Sequence, residues 1–499
     1  MIPEDFKVLF IYPNTVMATL LPINISLLSA CLKNDNFQVE LFDTTYYRTE
    51  DDNMTQKKVG MLQIKPYSFE DEDKLFKKTD IYDDLKNKVL EYRPNLIAIT
   101  LVEDTIDLAK DLLKSVRGYY DCPIVSGGVY AFFSPEELIE EDFIDIVCVG
   151  EGEKSLVELC HNMVEGKDIS NIPNLWVKNG GKVKKNAMRP PIDIDSLPFL
   201  DYDVFEKSRL DRPMHGKIFR MMHVEFDRGC PFSCHFCICA SIRRRYKEDN
   251  YKYHRAKSSE RAVLEIEYLK NKYNPDYVNF NAESFLARSV DSLKEIADLY
   301  KERINLPFWC QSRPETITEE KLLILKDMGC KDLQYGIEHG NEEFRKKMLN
   351  RNVSNERMLE ACLLTEKVGI PYTVNNILGF PEETRDLVWD TINFNRKIKP
   401  KTMNCYFFTP YKGTYLYDYC VKNGSLDSHA KTNGVMSGGE IKYDNITKEE
   451  LHGLQRTFCL YATMDEKLFP EIRKAEKFDD NGNSVFNNLK EEFYKIMNW

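Results

Sequence analysis

The chain has 499 residues, of which 42% are hydrophobic and 30% charged, so its composition resembles that of globular proteins and not that of disordered or membrane proteins. At roughly 100–200 residues per domain, this length predicts about two to four domains. The 69 Lys and Arg residues against 80 Asp and Glu residues give a formal charge of −11, which excludes a generally basic nucleic-acid binder. The local group Arg243, Arg244, Arg245 and Lys247 does not change this, and nucleic acid is not expected as a partner.

The amino-terminal sequence does not resemble an export signal. It reads MIPEDFKVLFIYPN, with acidic residues where a signal peptide carries positive charge. The most apolar stretch, residues 16–32, is interrupted by Pro22, Asn24 and Ser26, which makes it unsuited to a membrane span. We therefore expect a cytoplasmic protein without a membrane span.

Apolar strands alternate with helical patterns over the first third of the chain. Strands are predicted at residues 7–12, 38–42, 96–102, 124–126 and 144–149, and helices at residues 22–32 and 106–116 and from Ser134. This alternation predicts an α/β domain over residues 1–168 with a Rossmann-like, doubly wound parallel sheet, whose ligands bind beyond the carboxyl ends of the strands. A polar insertion within residues 44–95 is predicted to cross that edge.

A second alternating series follows a Pro-rich segment, residues 169–215, which is predicted to be a linker. Strands are predicted at residues 221–226, 277–280, 308–311, 332–337, 372–378 and 403–408, and helices at residues 259–273, 290–303, 319–328, 355–368 and 384–397. Six such units predict a partial (βα)6 barrel of the TIM type over residues 216–410, with its chemistry at the carboxyl ends of the strands. Residues 411–499, with helices near 448–461 and 487–497, are predicted to form a small mixed region that covers the barrel mouth.

Three of the fourteen cysteines stand apart from the rest. Cys230, Cys234 and Cys237 have the spacing C-x3-C-x2-C, which in a chain without an export signal favours a metal over disulfides. Three thiolates are one ligand short of closing a tetrahedral zinc site or a four-iron cluster, so the open corner can bind something else. Cys239 as a fourth ligand and an inert loop are the alternatives. The other cysteines are expected to be small buried hydrophobes.

This motif, with the aromatic Phe236 before its last cysteine and after the first barrel strand, resembles that of the radical S-adenosylmethionine (SAM) superfamily. The resemblance implies that Cys230, Cys234 and Cys237 hold three irons of a [4Fe–4S] cluster whose fourth iron chelates the amino and carboxylate groups of SAM. It also implies that one electron from the cluster cleaves SAM to a 5′-deoxyadenosyl radical, which takes hydrogen from an unactivated carbon. Zinc at the same cysteines would instead indicate a structural or nucleic-acid scaffold.

Later segments resemble the SAM-binding elements of the same family. Glu283, in YVNFNAESF, is implied to accept the methionyl ammonium, although Ala282 replaces the first acid of the family pair. Arg313 is implied to pair with the methionyl carboxylate, and Glu338, in GIEHG, to contact the ribose or the ammonium. Gly379, in ILGFPEET, is implied to pack against adenine beside Phe236. The alternatives are a solvated acid for Glu283 and a surface ion pair for Arg313.

The turns of the first sheet resemble those of the cobalamin-binding domain of cobalamin-dependent radical enzymes. The Ser-Gly-Gly turn at residues 126–128 and VGEGE at residues 149–153 carry this resemblance, whereas a dinucleotide-binding G-x-G-x-x-G is missing after the first strand. Glycines that simply form tight strand-ending turns are the alternative. The resemblance implies a cobalamin site formed by Tyr12, Val102, Glu103, Ser126, Gly127, Gly128, Tyr130, Gly150 and Glu151.

The first domain lacks the D-x-H-x-x-G motif that supplies a histidine to cobalt in mutase-type cobalamin domains. No histidine precedes His161, and Tyr130 stands where the related G-G-x-H turn commonly has one. We therefore expect water, a non-histidine group from the Val102-Glu103-Asp104 loop, or no ligand at the lower face of cobalt.

Across residues 1–410 the resemblance implies a cobalamin-dependent radical SAM methyltransferase that transfers a methyl group from methylcobalamin to a substrate carbon. The first alternative is an enzyme of the same layout that performs oxidative cyclisation or rearrangement without net methylation. The second is a radical SAM enzyme or interaction module whose first domain binds no corrinoid. The expected partners are a small-molecule or peptide substrate and a reducing protein such as flavodoxin or ferredoxin.

Overall fold

The computed structural model describes residues 1–15, 21–49, 54–68, 75–430, 434–438 and 440–499. The chain divides into two compact units: residues 1–53, 69–212 and 245–253 form the first, and residues 54–68, 213–244 and 254–499 form the second. Within the polar insertion, residues 54–68 belong to the second unit and the other described residues to the first, and its crossing of the edge of the first sheet stays a prediction. Residues 16–20 of the apolar stretch, and residues 50–53 and 69–74 of the polar insertion, lie outside the described residues.

The first unit is built on a seven-stranded sheet with the spatial order β2-β1-β3-β4-β5-β6-β7. Its strands are β1 (Lys7–Tyr12), β2 (Gln38–Asp43), β3 (Leu96–Thr100), β4 (Ile124–Gly127), β5 (Ile146–Cys148), β6 (Leu175–Asn179) and β7 (Lys182–Lys185). The first five pair in parallel and in the 2-1-3-4-5 order of flavodoxin-like sheets. The predicted Rossmann-like parallel sheet is confirmed.

Helices separate the parallel strands of this sheet. They are Ile23–Asn34, Ile81–Tyr92, Ile106–Arg117, Val129–Phe133, Pro135–Glu140 and Glu153–Glu165, with 3-10 turns at Pro3–Asp5, Glu103–Thr105, Ile194–Ser196 and Lys207–Leu210. Strand β1 reads KVLFIY and its four central residues are buried, as expected for a parallel strand that is covered on both faces.

The segment predicted as a linker contains the last two strands of the first sheet, so that prediction is wrong for residues 175–185. Strand β6 pairs antiparallel with β5, and β7 pairs antiparallel with β6. Gly180 and Gly181 connect β6 to β7 with φ of 56° and 80°, the positive values that a tight two-residue hairpin turn requires. The prolines of the segment flank this hairpin, so the proline content does not indicate a linker here.

The second unit contains a curved seven-stranded sheet with the order β16-β15-β14-β13-β12-β9-β8. Its strands are β8 (Asp211–Met214), β9 (Lys217–Glu225), β12 (Tyr277–Asn281), β13 (Phe308–Ser312), β14 (Cys330–Glu338), β15 (Tyr372–Leu378) and β16 (Thr402–Phe407), and a separate antiparallel pair is formed by β10 (Asp227–Arg228) and β11 (Arg255–Ala256). Strands β9 and β12 to β16 run parallel, which confirms the six parallel strands of the predicted partial barrel.

The helices of the remaining chain include those that connect the barrel strands. They are Met54–Gly60, Ile238–Glu248, Ser259–Tyr273, Val290–Arg303, Glu319–Met328, Glu342–Leu349, Asn355–Val368, Arg385–Asn395, Tyr415–Lys422, Lys448–Thr463, Phe469–Ala475 and Asp480–Met497, with 3-10 turns at Phe285–Ala287, Pro314–Thr316 and Glu466–Leu468. Within the described ranges, no helix has the length and apolar character that crossing a membrane requires.

Two glutamine side chains form hydrogen bonds with backbone groups of β16, the strand at one end of the barrel sheet. The side chain of Gln63 accepts from the N–H of Cys405 at 3.1 Å and donates to its carbonyl at 3.0 Å. Gln455, in the helix Lys448–Thr463, donates to the same carbonyl at 3.1 Å. These bonds replace those of a neighbouring strand, so residues 54–68 and the helix Lys448–Thr463 protect an otherwise open sheet edge.

We expect Gly340→Ala to lower the free energy of unfolding of the second unit by about 1–3 kcal/mol, the usual cost of forcing extra atoms into packed structure. A Cβ at this position would lie 2.2 Å from the carbonyl oxygen of Asp390. Gly60→Ala is the matched control, because nothing lies within 4 Å of its Cβ position. Urea unfolding of both variants measures the effect, and equal midpoints would contradict this packing argument.

Candidate active site

The three cysteines of the predicted cluster site lie on one loop that follows β9 and β10. Gly229, with φ of 86°, turns the chain into the loop, and the N–H of Cys237 donates to the carbonyl of Cys234 at 3.2 Å. Cys234 is buried, whereas Cys230 and Cys237 are half-buried. Burial raises the pKa of Cys230 to about 11, so this thiol must lose its proton when it binds a metal at neutral pH.

The cysteine loop is anchored to the barrel on both sides. The guanidinium of Arg243 donates to the carbonyl of Cys230 at 2.8 Å and also contacts the hydroxyl of Ser233. The Nδ1 of His235 donates to the carbonyl of Met348 at 3.0 Å. The barrel itself therefore fixes the course of the chain between the three cysteines.

All fourteen cysteines are free thiols. The interaction between the thiols of Cys237 and Cys239 lowers the pKa of Cys237 and, together with burial, raises the pKa of Cys239. Among the residues that the structure describes, no three His, Cys, Asp or Glu side chains converge closely enough for one metal ion. The donor set is three thiols spread along one loop, with Cys239 beside the third.

Three of the predicted SAM-binding residues lie at the carboxyl ends of three adjacent barrel strands. Glu283 follows β12 by two residues, Arg313 follows β13 directly, and Glu338 ends β14. The side chain of Glu283 is exposed, yet the protein that surrounds it raises the pKa of its carboxyl group. Glu338 has a positive φ of 66°, which turns its side chain away from the regular strand course.

An ion-pair network connects the ends of β13 and β14. Arg351, whose side chain is 1% exposed, lies 2.9 Å from the carboxylate of Glu338 and 3.6 Å from that of Glu315. Glu315 in turn pairs with Arg313. Burial raises the pKa of Glu338, whereas Arg351 and Arg313 outweigh burial at Glu315 and hold the pKa of that carboxyl below its usual value. Neither Arg351 nor Glu315 was predicted from the sequence.

Arg313 also contacts the cysteine loop. Its Nη1 donates to the Sγ of Cys234 at 3.0 Å, and its guanidinium lies 3.8 Å from the centre of the Phe232 ring. The side chain therefore connects the carboxyl end of β13 to a predicted cluster ligand.

The turn after β15 is held by a buried carboxylate. Glu383 accepts from the backbone N–H groups of Gly379 and Phe380 and from the Nε2 of His339, the last at 3.0 Å. His339 and Glu383 have fully buried side chains. The N–H of Asn341 donates to the Nδ1 of His339, so the proton of a neutral ring lies on Nε2, facing Glu383. This pair joins the turns that follow β14 and β15.

Gly379 is surrounded by aromatic residues. It has φ of 76°, and a Cβ would lie 2.8 Å from the hydroxyl oxygen of Tyr443, which donates to the Gly379 carbonyl at 3.0 Å. The next residue, Phe380, lies 6.2 Å from Phe236 between ring centres. The predicted adenine contacts Phe236 and Gly379 are therefore on one apolar side of the site.

The inner face of the barrel sheet carries amides below these residues. Gln334 and Asn404 each donate to the Oδ1 of Asn375 at 2.9 Å. On the same face of the sheet, at strands β9 and β12, Asn279 and His223 are hydrogen-bonded at 2.8 Å. TIM-type barrels usually fill this layer with branched apolar side chains, so the interior here can bind a polar ligand. In the sequence, this polar interior is indicated by amide residues that alternate with apolar residues along the barrel strands.

All nine predicted cobalamin-binding residues lie at the carboxyl edge of the first sheet. Tyr12 ends β1, Val102 and Glu103 follow β3, Ser126 and Gly127 belong to the end of β4, Gly128 and Tyr130 follow it, and Gly150 and Glu151 follow β5. The structure therefore brings them to one edge, where Val102 is exposed.

The protein's own contacts account for two of the predicted glycines. Gly128 has φ of 96°, and a Cβ there would lie 2.6 Å from the carbonyl oxygen of Leu101. Gly150 has φ of 115°, and a Cβ would lie 3.0 Å from the hydroxyl of Tyr246. These contacts favour the alternative of tight turns for Gly128 and Gly150, whereas a Cβ at Gly127 would meet only an ordinary neighbour, Cys148.

Two polar candidates also have partners within the first unit. The hydroxyl of Tyr130 donates to Glu137 at 2.9 Å, and the carboxylate of Glu151 accepts from the N–H of Ile192 at 2.8 Å. Both side chains therefore stabilise loops of the unit, whatever else they bind.

The comparisons with known families match both units. The family model of the Radical SAM superfamily matches residues 224–394, and that of the B12 binding domain matches residues 60–160. The first match includes the cysteine loop and the ends of β12 to β15, and the second includes strands β3 to β5. The chain is a B12-binding radical SAM enzyme.

Similar proteins include methyltransferases and a cyclase. This enzyme is 25% identical over 407 residues to an uncharacterised methyltransferase of Pyrococcus horikoshii, covering 80% of this chain and 84% of that protein. It is 24% identical over 345 residues to the anaerobic magnesium-protoporphyrin IX monomethyl ester cyclase of Rubrivivax gelatinosus, covering 67% of this chain and 60% of that protein. The radical SAM methyltransferase TsrM of Kitasatospora setae, solved with cobalamin and a [4Fe–4S] cluster, matches the fold with a TM-score of 0.62 at 19% identity, over 85% of this chain and 75% of that one.

We expect Glu383→Gln to lower the free energy of unfolding by about 1–3 kcal/mol. The glutamine amide replaces one acceptor oxygen by an NH2 group, so at least one of three buried donors loses its acceptor. The donors are His339, Gly379 and Phe380. Glu382→Gln is the control, because Glu382 directly precedes Glu383 and its own carboxylate is solvent-exposed. Thermal unfolding of the two variants would contradict the assignment if both lost the same stability.

Proposed function

We propose that this enzyme is a cobalamin-dependent radical SAM methyltransferase that methylates a carbon atom of its substrate. The observation that carries the proposal is the arrangement at the carboxyl ends of β9 and β12 to β14, where a three-cysteine loop adjoins Glu283, Arg313 and Glu338. The B12-domain match on the first unit and the methyltransferase names of the Pyrococcus horikoshii relative and of TsrM support methyl transfer.

Cys230, Cys234 and Cys237 would hold the cluster. They fit it in donor chemistry, because thiolates are the ligands of such clusters and an N–H group of Arg313 already points at one of the sulfurs. When bound, the cluster supplies the electron that cleaves SAM, and cobalamin supplies the methyl group.

The carboxyl ends of β12 and β14 would bind the polar part of SAM. Glu283 offers an exposed carboxylate for the methionyl ammonium, and Glu338, held by Arg351, offers a second carboxylate for the ammonium or the ribose hydroxyls. Phe236 and the backbone after β15 would contact adenine, whereas the positive φ of Gly379 and the nearby Tyr443 hydroxyl already account for the glycine itself. These residues orient SAM without themselves exchanging protons with it.

The first unit would bind cobalamin without offering a histidine to the cobalt. Its one histidine, His161, lies in the helix Glu153–Glu165 and is bonded to Asp35 at 2.8 Å. We assign the exposed Val102 and the backbone at Gly127 as the residues best suited to approach the corrinoid, since Gly128, Gly150, Tyr130 and Glu151 make contacts within the unit.

Oxidative cyclisation is the second candidate function. It is favoured by the similarity to the Rubrivivax gelatinosus cyclase, of which the matched region spans less than two thirds. In either case the enzyme requires an electron donor, for which we propose a flavodoxin or ferredoxin, and a small-molecule or peptide substrate in the cytoplasm. The amides of Gln334, Asn375 and Asn404 favour a substrate with hydrogen-bonding groups.

Replacement of Cys230, Cys234 and Cys237 together by alanine is expected to abolish formation of 5′-deoxyadenosine from SAM. The reason is that the electron needed for cleavage has no cluster from which to come. The assay uses anaerobically reconstituted protein with dithionite. Cys239→Ala is the matched control and should retain the activity; equal yields from the triple variant and wild type would exclude the proposed function, and loss in Cys239→Ala would make Cys239 a fourth ligand.

Methyl transfer is expected to release S-adenosylhomocysteine when the enzyme is incubated with hydroxocobalamin, SAM and reductant. Removal of the methyl group from SAM leaves this product, whereas reductive cleavage leaves 5′-deoxyadenosine and methionine. Chromatography with mass detection separates the products. Formation of 5′-deoxyadenosine without S-adenosylhomocysteine, with or without cobalamin, would favour cyclisation over methylation.

A further inference from the structure

The contact between Arg313 and Cys234 gives the arginine a role that differs from SAM binding. Its Nη1 lies 3.0 Å from the Sγ of Cys234, within the range of a hydrogen bond to sulfur. The same guanidinium lies 3.8 Å from the ring centre of Phe232, two residues before that cysteine. Both contacts are made to the cysteine loop, not to the strand ends where SAM is proposed to bind.

The neighbours of Arg313 fix the direction of this contact. The Nε donates to Glu315 at 2.6 Å, and Nη2 pairs with the same carboxylate. Glu315 is held from its other side by Arg351, at 3.6 Å. The edge of the guanidinium formed by Nε and Nη2 is therefore taken by Glu315, and the remaining nitrogen, Nη1, is directed at Cys234.

The sequence implied that Arg313 pairs with the methionyl carboxylate. A guanidinium can bind a carboxylate through two parallel N–H groups on the edge formed by Nε and Nη2 or on the edge formed by Nη1 and Nη2. In this protein Glu315, a carboxylate of the chain itself, already occupies the Nε and Nη2 edge.

We propose that Arg313 is a positioning residue that acts on the cluster through Cys234, donating a hydrogen bond to its sulfur and making the cluster easier to reduce. The inference rests on the proposed function, because it requires a cluster on Cys230, Cys234 and Cys237. Hydrogen bonds to ligand sulfurs and nearby positive charge both stabilise the reduced, more negative cluster and raise its reduction potential. The contacts with Glu315 would keep the Nη1 of Arg313 directed at Cys234 when the cluster is reduced.

The test compares reduction potentials of anaerobically reconstituted variants in the absence of SAM, cobalamin and substrate. The reduced cluster is followed by electron paramagnetic resonance during titration with dithionite and redox mediators. Arg313→Gln should shift the midpoint to a more negative value by at least about 59 mV, a tenfold change in a one-electron equilibrium. Arg313→Lys, which keeps the charge without the fixed N–H direction, should give an intermediate value.

Arg243→Gln is the matched control. Arg243 is also a cation beside the cysteine loop, but it donates to the backbone carbonyl of Cys230 and not to a sulfur. Its loss should shift the potential less than the loss of Arg313. Equal shifts in the two variants would attribute the effect to charge alone and overturn the hydrogen-bond inference.

Two further outcomes would also overturn it. The first is an unchanged reduction potential in Arg313→Gln. The second is weaker SAM binding by Arg313→Gln at an unchanged potential, which would indicate that Arg313 binds the methionyl carboxylate. If Arg313→Gln takes up no cluster, as judged by its iron content, Arg313→Lys decides the question, and a wild-type potential in that variant contradicts the inference. Failure of the proposed function differs from all of these, because the wild type itself would then form no cluster or cleave no SAM.

Discussion

The parallel register of β9, β12, β13 and β14 is the constraint on which the candidate active site depends. Glu225 lies opposite Asn281, and Ser312 opposite Tyr335, so the residues that follow each strand emerge at one edge. A cysteine loop, two carboxylates and a guanidinium, which are far apart in sequence, become neighbours because the strands end together. Hydrogen bonds along the strands thus position groups that share no local motif.

The electrostatics of this edge follow from burial. Arg351 and Glu338 are removed from water, where a single unpaired charge would be costly, so the cations and carboxylates occur as an alternating chain from Arg313 through Glu315 and Arg351 to Glu338. This series of four charged groups is formally neutral, and it fixes Arg313 and Glu338, the side chains that we propose to act on the cluster and on SAM. Exposed pairs would offer much less of this rigidity.

The sequence was most informative where structure is local. The helices Ser259–Tyr273, Val290–Arg303 and Asn355–Val368 have the predicted bounds, because Ser258, Ser289 and Ser354 accept from the first free N–H groups and mark the beginnings. The cysteine spacing was equally visible. In contrast, the pairing of His339 with Glu383 spans 44 residues and the capping of Cys405 by Gln63 spans 342, so neither has a pattern in the local sequence. The hairpin at Gly180 was missed although its turn signal was present.

The glycines of the first sheet show why a motif alone does not define a ligand site. Gly128 is required by the Leu101 carbonyl and Gly150 by Tyr246, so their positions would demand glycine even in a protein that binds no corrinoid. The residues that can report on cobalamin are those with no such internal demand, namely Val102, which is exposed after β3, and Gly127, whose Cβ position is open. A larger side chain at either position would leave the strand turns intact, so a loss of corrinoid binding there could be separated from a loss of folding.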